Sequence, residues 1–153
     1  MVAAAKTDPL IARRQAAMAL CAEARRTELE AALAALGPLE PAADLRKPEL
    51  GLVMARGRIG GDGRAFNCGE VTVARAAVRL STGETGFAYH LGRDLKKARL
   101  GAVLDALMQS PHAEAVERAL EPISRRLAEE RSREEREIAA TRVNFFTLVR
   151  GED

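Results

Sequence analysis

Residues 50–91 read LGLVMARGRIGGDGRAFNCGEVTVARAAVRLSTGETGFAYHL, and they carry the strongest pattern in the chain. Hydrophobic and polar residues alternate along this stretch and Gly-rich turns interrupt the alternation, which is typical of short β-strands. We predict strands at roughly Leu50–Ile59, Glu70–Leu80 and Gly86–Leu91, paired antiparallel because no crossover helix fits between them. Gly83 lies in the second turn, where a hairpin needs a residue with positive φ. Three side chains of the last strand share one face: Phe87, Tyr89 and Leu91.

Two helices are predicted before the strands. The Asp-Pro pair at residues 8–9 is a start signal, because Asp is a favoured N-cap and Pro is tolerated at the first helical position. A second start is predicted at residues 27–30, which have the pattern of a capping box. The Gly-Pro pair at residues 37–38 predicts the end of that helix. The sequence therefore predicts a helical hairpin over residues 8–37 and a connector over residues 39–47.

The helices predicted after the strands differ in their surroundings. Asp94 is the next N-cap, and the helix after it carries apolar residues at helical spacing as far as Ser110. A short helix follows His112, and Pro122 is expected to break it or to start a new one. Residues 123–142 predict an exposed helix, because charged residues far outnumber apolar ones there.

These elements predict an α+β fold, a small antiparallel β-meander packed by the N-terminal and central helices. A long charged helix and an apolar tail over residues 143–150 complete it. A chain of 153 residues has the size of one domain. We assign residues 8–151 to that domain, with the sheet over residues 50–91 and the later helices over residues 94–142.

The composition excludes several classes of function. The chain has 24 Lys and Arg against 22 Asp and Glu, so its overall charge gives no case for nucleic-acid binding. Aromatic residues make up only 3% of the chain, which leaves few side chains that stack on bases. No segment approaches the run of about 18 apolar residues that a membrane span needs, and the N-terminus lacks a secretory signal. We expect a cytoplasmic protein that binds neither nucleic acid nor membrane.

No group of residues predicts a self-contained active site. His90 and His112 have no Cys or second His at metal-ligand spacing. Cys21 and Cys68 lie far apart in sequence and form no C-x-x-C pair, so they suggest neither a disulfide framework nor a thiolate metal site. The chain also lacks the cysteine cluster that binds iron and sulfur. Serine and histidine are too sparse to nominate a nucleophile with its base. We expect no catalytic residue, no metal ligand and no cofactor bound by this chain.

Residues 56–64, RGRIGGDGR, form the most distinctive motif. They do not match a phosphate-binding P-loop, because the Lys and the hydroxyl residue after it are missing. Closely spaced glycines can still expose successive N–H groups to an anion, and guanidinium groups suit phosphate or phosphonate oxygens. A plain turn between two strands explains the same glycines, and the sequence alone favours that interpretation. The anion hypothesis names Arg56, Arg58, Gly60, Gly61 and Gly63.

Further arginines are candidates for anion or partner contacts. Arg75 and Arg79 lie on one side of the second predicted strand, and Arg56 and Arg58 lie on one side of the first. Whether the four converge depends on the strand register, which the sequence leaves open. Arg93 precedes a helix start, where it could contact a phosphate beside free backbone donors. The commoner alternative is that it only covers the helix end or pairs with a neighbouring carboxylate.

Residues 143–149, VNFFTLV, reverse the polar character of the helix before them. Burying each Phe is worth roughly 1.5–3 kcal/mol, so we expect this tail to dock. It docks either on the sheet of its own chain or on another protein, because exposed apolar patches tend to mark interfaces. The candidate docking residues are Phe145, Phe146 and Leu148.

Three blocks of the sequence resemble the PhnG family. They are GLVMARGRIGGDGRAFNCGEVTVARAAVRL at residues 51–80, GFAYHLGRD with DALMQ between residues 86 and 109, and RVNFFTLVRG at residues 142–151. The similarity covers nearly the whole chain from the first helix onward, and several long blocks in order are more specific than one short motif. It implies a role in phosphonate catabolism, as a subunit of the carbon-phosphorus lyase core complex.

The resemblance also implies partners. PhnG assembles with PhnH, PhnI and PhnJ, and with PhnI, PhnH and PhnL it is implicated in displacing adenine from ATP by a phosphonate such as methylphosphonate. The product is ribose 1-phosphonate 5-triphosphate. The resemblance assigns the nucleosidase-type chemistry to PhnI, and the later carbon-phosphorus cleavage, with its iron-sulfur cluster, to PhnJ. A free-standing homodimeric anion-binding or regulatory domain is the alternative that the residues leave open.

Overall fold

The structure is a computed structural model that describes residues 8–60 and 62–141. Within these residues it contains four helices and one three-stranded antiparallel sheet with the strand order β1-β2-β3. The elements are α1 (Pro9–Glu23), α2 (Arg26–Ala35), β1 (Ala42–Arg58), β2 (Ala65–Leu80), β3 (Thr85–Leu91), α3 (Leu95–Leu107) and α4 (Ala113–Thr141). The predicted α+β fold with an antiparallel meander is confirmed.

Several element ends follow the predicted local chemistry. The Asp8 side chain accepts a hydrogen bond of 2.9 Å from the Leu10 N–H and caps α1. The Asp94 side chain caps α3 in the same way, by accepting the Lys97 N–H at 3.0 Å. Gly37 follows α2 with a φ of 74°, a left-handed conformation that glycine adopts without strain.

The predicted start of α2 is wrong by a few residues. The helix begins at Arg26 rather than after Thr27, and the Glu28 carboxylate accepts the Arg25 N–H at 2.7 Å. Glu28 also binds the Arg126 guanidinium of α4, with a shortest distance of 2.6 Å. This contact with a distant helix favours Glu28 as the capping carboxylate, and no local pattern contains that information.

β1 is longer than predicted. The connector expected over residues 39–47 is wrong, because β1 begins at Ala42 and continues through Pro48. Ala42 pairs with Leu80, so the far end of β2 also has a partner strand. Pro48 lacks an N–H group, which an edge strand tolerates, and the register shifts on both sides of Arg46. Pairing with a long neighbour therefore extends the strand beyond the residues that alternate.

Pro122 does not interrupt the last helix. The predicted break is wrong, because α4 runs from Ala113 to Thr141 with Pro122 inside it. The helix has a buried stripe on both sides of the proline, formed by Val116, Leu120, Ile123 and Leu127. Each buried apolar side chain contributes about 1.5–3 kcal/mol, which together outweighs the cost of about 3 kcal/mol for an internal proline.

The helices cover one face of the sheet. Alternate side chains of β2 and β3 point to this side and are buried, among them Ala74, Ala76, Val78, Leu80 and Ala88. α3 packs directly on β2 and β3, α1 and α2 pack on α3, and α4 packs on α1 and α2. Gly86 permits the close approach of α3, because a Cβ there would lie 1.9 Å from the Ala102 carbonyl oxygen.

Candidate partner-binding surface

The face of the sheet that points away from α3, which we call the open face, exposes large apolar side chains. On β3 the exposed fractions are 50% for Phe87, 57% for Tyr89 and 77% for Leu91. This confirms that the three side chains share one face. Each is half or more exposed, although Phe87 also lines a cavity with Ile11 and Met18 of α1. Their exposure in a row differs from the scattered exposed apolar residues that every protein surface has.

The β1–β2 hairpin adds further exposed apolar residues. β3 ends at Leu91, which pairs with Val73, so the hairpin beyond Val73 has no third strand beside it. The large exposed apolar side chains of this two-stranded arm and its base are Leu50, Leu52, Val53, Met54, Ile59 and Phe66. A two-stranded ribbon has only marginal stability by itself in water. The open face and this arm are therefore the candidate surface for contact with other polypeptides.

The strand register keeps the four arginines apart. Arg56 lies opposite Asn67 near the tip of the arm, whereas Arg75 lies opposite Glu49 in the body of the sheet. Asn67 and Arg75 lie eight positions apart on β2, which corresponds to about 26 Å along the strand. Two separate pairs result, Arg56 with Arg58 and Arg75 with Arg79. The convergence that the sequence left open does not occur.

The Gly-rich motif forms the tip of the arm and is closed by its own hydrogen bonds. Arg58 Nη1 donates to the Gly63 carbonyl oxygen at 3.0 Å, and the Gly63 N–H donates to the Ile59 carbonyl oxygen at 3.0 Å. Gly60 has a φ of 66°, and a Cβ on Gly63 would lie 2.5 Å from the Ile59 oxygen. These glycines have the geometry of a tight turn. Gly61 lies outside the described residues, and anion binding at this tip stays a prediction.

The other candidate arginines have different surroundings. Arg75 Nε and Nη2 each lie 2.8 Å from Glu49 Oε1, and Arg46 Nη1 lies 3.5 Å from the same oxygen. An anion at Arg75 would therefore compete with a carboxylate. Arg93 is exposed, and within the described residues neither Arg93 nor Arg56 forms a side-chain ion pair. Both guanidinium groups are available to a partner or an anion.

Asp105 joins three elements from a buried position that the sequence analysis did not single out. Its carboxylate accepts hydrogen bonds from Arg14 Nε and Nη2 at 2.6 and 2.7 Å, and from the Phe87 N–H at 2.8 Å. The hydrogen bond to Asp105 raises the pKa of Arg14. The signal that could have found this residue is its position as the single charge in the apolar run of residues 101–108.

His90 and Cys21 are buried and are not arranged for chemistry. Neither ring nitrogen of His90 has a hydrogen-bond partner, and burial lowers its pKa to about 4. Its Nε2 faces Gly101, where a Cβ would lie 2.6 Å away. Burial raises the pKa of the Cys21 thiol to about 12. His90 is therefore a packed side chain of the core.

The described part of the chain was also compared with the predictions on metal sites, membrane spans and the apolar tail. Within residues 8–60 and 62–141, no group of three or more His, Cys, Asp or Glu side chains could hold a metal ion. In the same part of the chain, no helix is both long enough and apolar enough to cross a membrane. The predicted docking residues Phe145, Phe146 and Leu148 lie outside the described residues.

The fold and this surface define a class, an α+β domain with helices on one face of a three-stranded sheet and with Phe87, Tyr89 and Leu91 exposed on the other face. Residues 12–151 match the family model described as phosphonate metabolism protein PhnG. The chain is 51% identical over 156 residues to the alpha-D-ribose 1-methylphosphonate 5-triphosphate synthase subunit PhnG of Rhizobium meliloti (strain 1021), and the match covers 100% of both chains. The chain belongs to the PhnG family, which confirms the resemblance in the three sequence blocks.

Proposed function

We propose that this chain is a cytoplasmic subunit of the synthase that uses ATP and a phosphonate, such as methylphosphonate, to form ribose 1-phosphonate 5-triphosphate with release of adenine. Its part in this assembly is to bind and position other subunits, and it does not carry out the reaction alone. The observation that carries the proposal is the full-length identity of 51% to a protein named as a subunit of that synthase.

The distribution of surface chemistry supports this role. The open face and the arm present apolar side chains that gain free energy when another protein covers them, about 25 cal/mol per Å² of apolar area. The buried titratable groups are locked in packing or in structural hydrogen bonds, as Asp105 and His90 illustrate. A chain of this kind is better suited to complete an assembly than to act by itself.

The proposed partners are PhnI, PhnH and PhnL for the displacement of adenine, and PhnJ in the core complex. PhnI carries the nucleosidase-type chemistry in this scheme. This chain binds no cofactor of its own, the assembly uses ATP and the phosphonate, and the iron-sulfur cluster belongs to PhnJ. The exposed Arg56, Arg58 and Arg93 contact either a partner or the anionic substrate within the complex.

Co-expression with PhnI, PhnH, PhnL and PhnJ from the same organism tests the proposal. With an affinity tag on PhnI, we expect this chain to co-purify and to elute at the mass of a complex that contains both proteins. A stable homodimer of this chain that does not bind PhnI would favour the free-standing regulatory domain instead. Recovery of the tagged complex without this chain would contradict its role as a subunit.

A further inference from the structure

The outer edge of β3 has main-chain groups that do not face β2. In an antiparallel pair, residues that exchange hydrogen bonds alternate with residues that do not. The Leu80 N–H donates to the Glu84 carbonyl oxygen and the Gly92 N–H donates to the Thr72 carbonyl oxygen, both at 2.9 Å. Even-numbered residues of β3 are therefore the ones bonded to β2. Four odd-numbered residues direct their main-chain groups to the outer edge: Thr85, Phe87, Tyr89 and Leu91.

Two side chains from the end of α3 and just beyond it occupy the first half of this edge. Gln109 Nε2 donates to the Thr85 carbonyl oxygen at 2.7 Å, and Asp105 Oδ2 accepts the Phe87 N–H at 2.8 Å. A donor followed by an acceptor is the pattern that a neighbouring strand would supply. Proteins commonly blunt edge strands because free edge groups are a template for pairing with another chain. Here the side chains of Gln109 and Asp105 occupy the edge only as far as the Phe87 N–H.

The second half of the edge is open. The described residues supply no hydrogen bond to the Phe87 carbonyl oxygen, to the N–H and carbonyl oxygen of Tyr89, or to the Leu91 N–H. These groups form a continuous series of acceptor, donor, acceptor and donor. Beside them lie the exposed side chains of the open face, which would contact alternate residues of an added strand.

We propose that the open half of this edge binds an extended segment of another subunit by strand addition, an inference that rests on the proposed function within an assembly. Main-chain hydrogen bonds to Tyr89 hold the segment, and Phe87, Tyr89 and Leu91 contact apolar side chains at alternate positions. Arg93 and Lys96 are exposed just beyond Leu91 and form no ion pair within the described residues. The segment therefore carries a carboxylate at the end that passes Leu91.

Hydrogen exchange at single amides of β3, in the isolated chain and in the assembled synthase, tests the proposal. We expect the Tyr89 and Leu91 amides to exchange at least about tenfold more slowly in the assembly. The Phe87 amide, which Asp105 already binds, is the internal control and should not change. Unchanged exchange at Tyr89 in a complex that has formed overturns strand addition and leaves the proposed function standing.

Other outcomes of the exchange experiment would contradict either the proposed function or the choice of partner. Failure of the subunits to assemble contradicts the proposed function itself and, with it, the inference that rests on it. Protection of the Tyr89 amide in an isolated chain that forms a dimer assigns the edge to a second copy, and protection in an isolated monomer assigns it to the chain's own tail. Either result overturns the choice of another subunit as the partner.

A pair of variants at Tyr89 distinguishes the contribution of the main-chain N–H to binding from the contribution of the side chain. Tyr89→Pro removes the outward N–H without removing a bond to β2, because Tyr89 and Arg75 form a pair that is not hydrogen bonded. Tyr89→Thr also removes the ring but keeps the N–H. We expect Tyr89→Pro to bind the other subunits about fivefold more weakly than Tyr89→Thr. Equal binding by two folded variants overturns the proposal, and if Tyr89→Pro does not fold, the exchange measurement decides.

Discussion

The carboxylate of Asp105 binds the guanidinium of Arg14 through two parallel hydrogen bonds, 2.6 and 2.7 Å long. Arg14 lies on α1 and Asp105 on α3, and the same carboxylate accepts the Phe87 N–H of β3. One buried side chain thereby fixes the position of two helices and of the strand edge that we propose as a binding site. A parallel pair of this kind contributes geometric specificity as well as free energy.

Removal of the Asp105 carboxylate should destabilise the protein strongly. We expect Asp105→Ala to lower the free energy of unfolding by about 3 kcal/mol, because it leaves Arg14 without its partner and the Phe87 N–H unsatisfied. Asp105→Asn should have a smaller effect, because its amide oxygen still accepts one hydrogen bond. Urea denaturation measures both. The control is Arg13→Ala, whose ion pair with Glu117 is exposed, and an Asp105→Ala variant as stable as this control would contradict the assignment.

The stability of the protein should fall in mild acid because of His90. Burial lowers the pKa of His90 to about 4 in the folded state, whereas an unfolded chain has the ordinary value of about 6.5. Between these values the unfolded state binds more protons, so the contribution is complete above pH 6.5 and is lost as the pH falls towards 4. We expect a loss of up to about 3 kcal/mol over this window.

The control for this pH dependence is His90→Leu, which lacks the titrating ring. Thermal unfolding at several pH values between 4 and 7 should give a flatter profile for the variant than for the unmodified chain. Profiles of equal slope would show that another group causes the acid sensitivity.

Local signals predicted much of the secondary structure. Caps and turns depend on a few adjacent residues, so Asp8, Gly37, Gly83 and Asp94 were assigned correctly. The shared face of Phe87, Tyr89 and Leu91 followed from the alternation of side chains along a strand. The predictions that failed depend on distant contacts, since β2 extends β1 past Pro48 and packing holds α4 together through Pro122.

The candidate surface was only partly predictable. The sequence identified the arginines, but the register that separates Arg56 from Arg75 is a property of strand pairing. The role of Asp105 depends on its contact with Arg14, 91 residues away in the chain, and no spacing rule links two such positions. The extent of the open half of the β3 edge depends on the hydrogen bonds of Asp105 and Gln109, which are tertiary contacts that the sequence does not show.

Substitutions at the tip of the arm test the anion hypothesis. We expect Arg56→Ala or Arg58→Ala to lower synthase output by about tenfold, the effect of one lost charge-assisted hydrogen bond, without disrupting the assembly. Both side chains are exposed, so the folded chain should persist. Arg133→Ala, on the exposed part of α4, is the matched control. Unchanged output from both arm variants would remove the anion-site hypothesis.

Substitutions in the tail test its predicted docking. We expect Phe145→Asp and Phe146→Asp to reduce co-purification with PhnI, because each places a charge where an apolar contact is predicted. Thr147→Asp adds the same charge in the same segment without removing an aromatic ring and is the matched control. If both Phe variants co-purify as well as the unmodified chain, docking through this tail is wrong.

Release of adenine from ATP in the presence of methylphosphonate is the most direct measurement of the role as a dependent subunit. We expect PhnI, PhnH and PhnL to release adenine at full rate only when this chain is added, and this chain alone to release none. Adenine release by the isolated chain, or an equal rate from the other three subunits without it, would contradict the account.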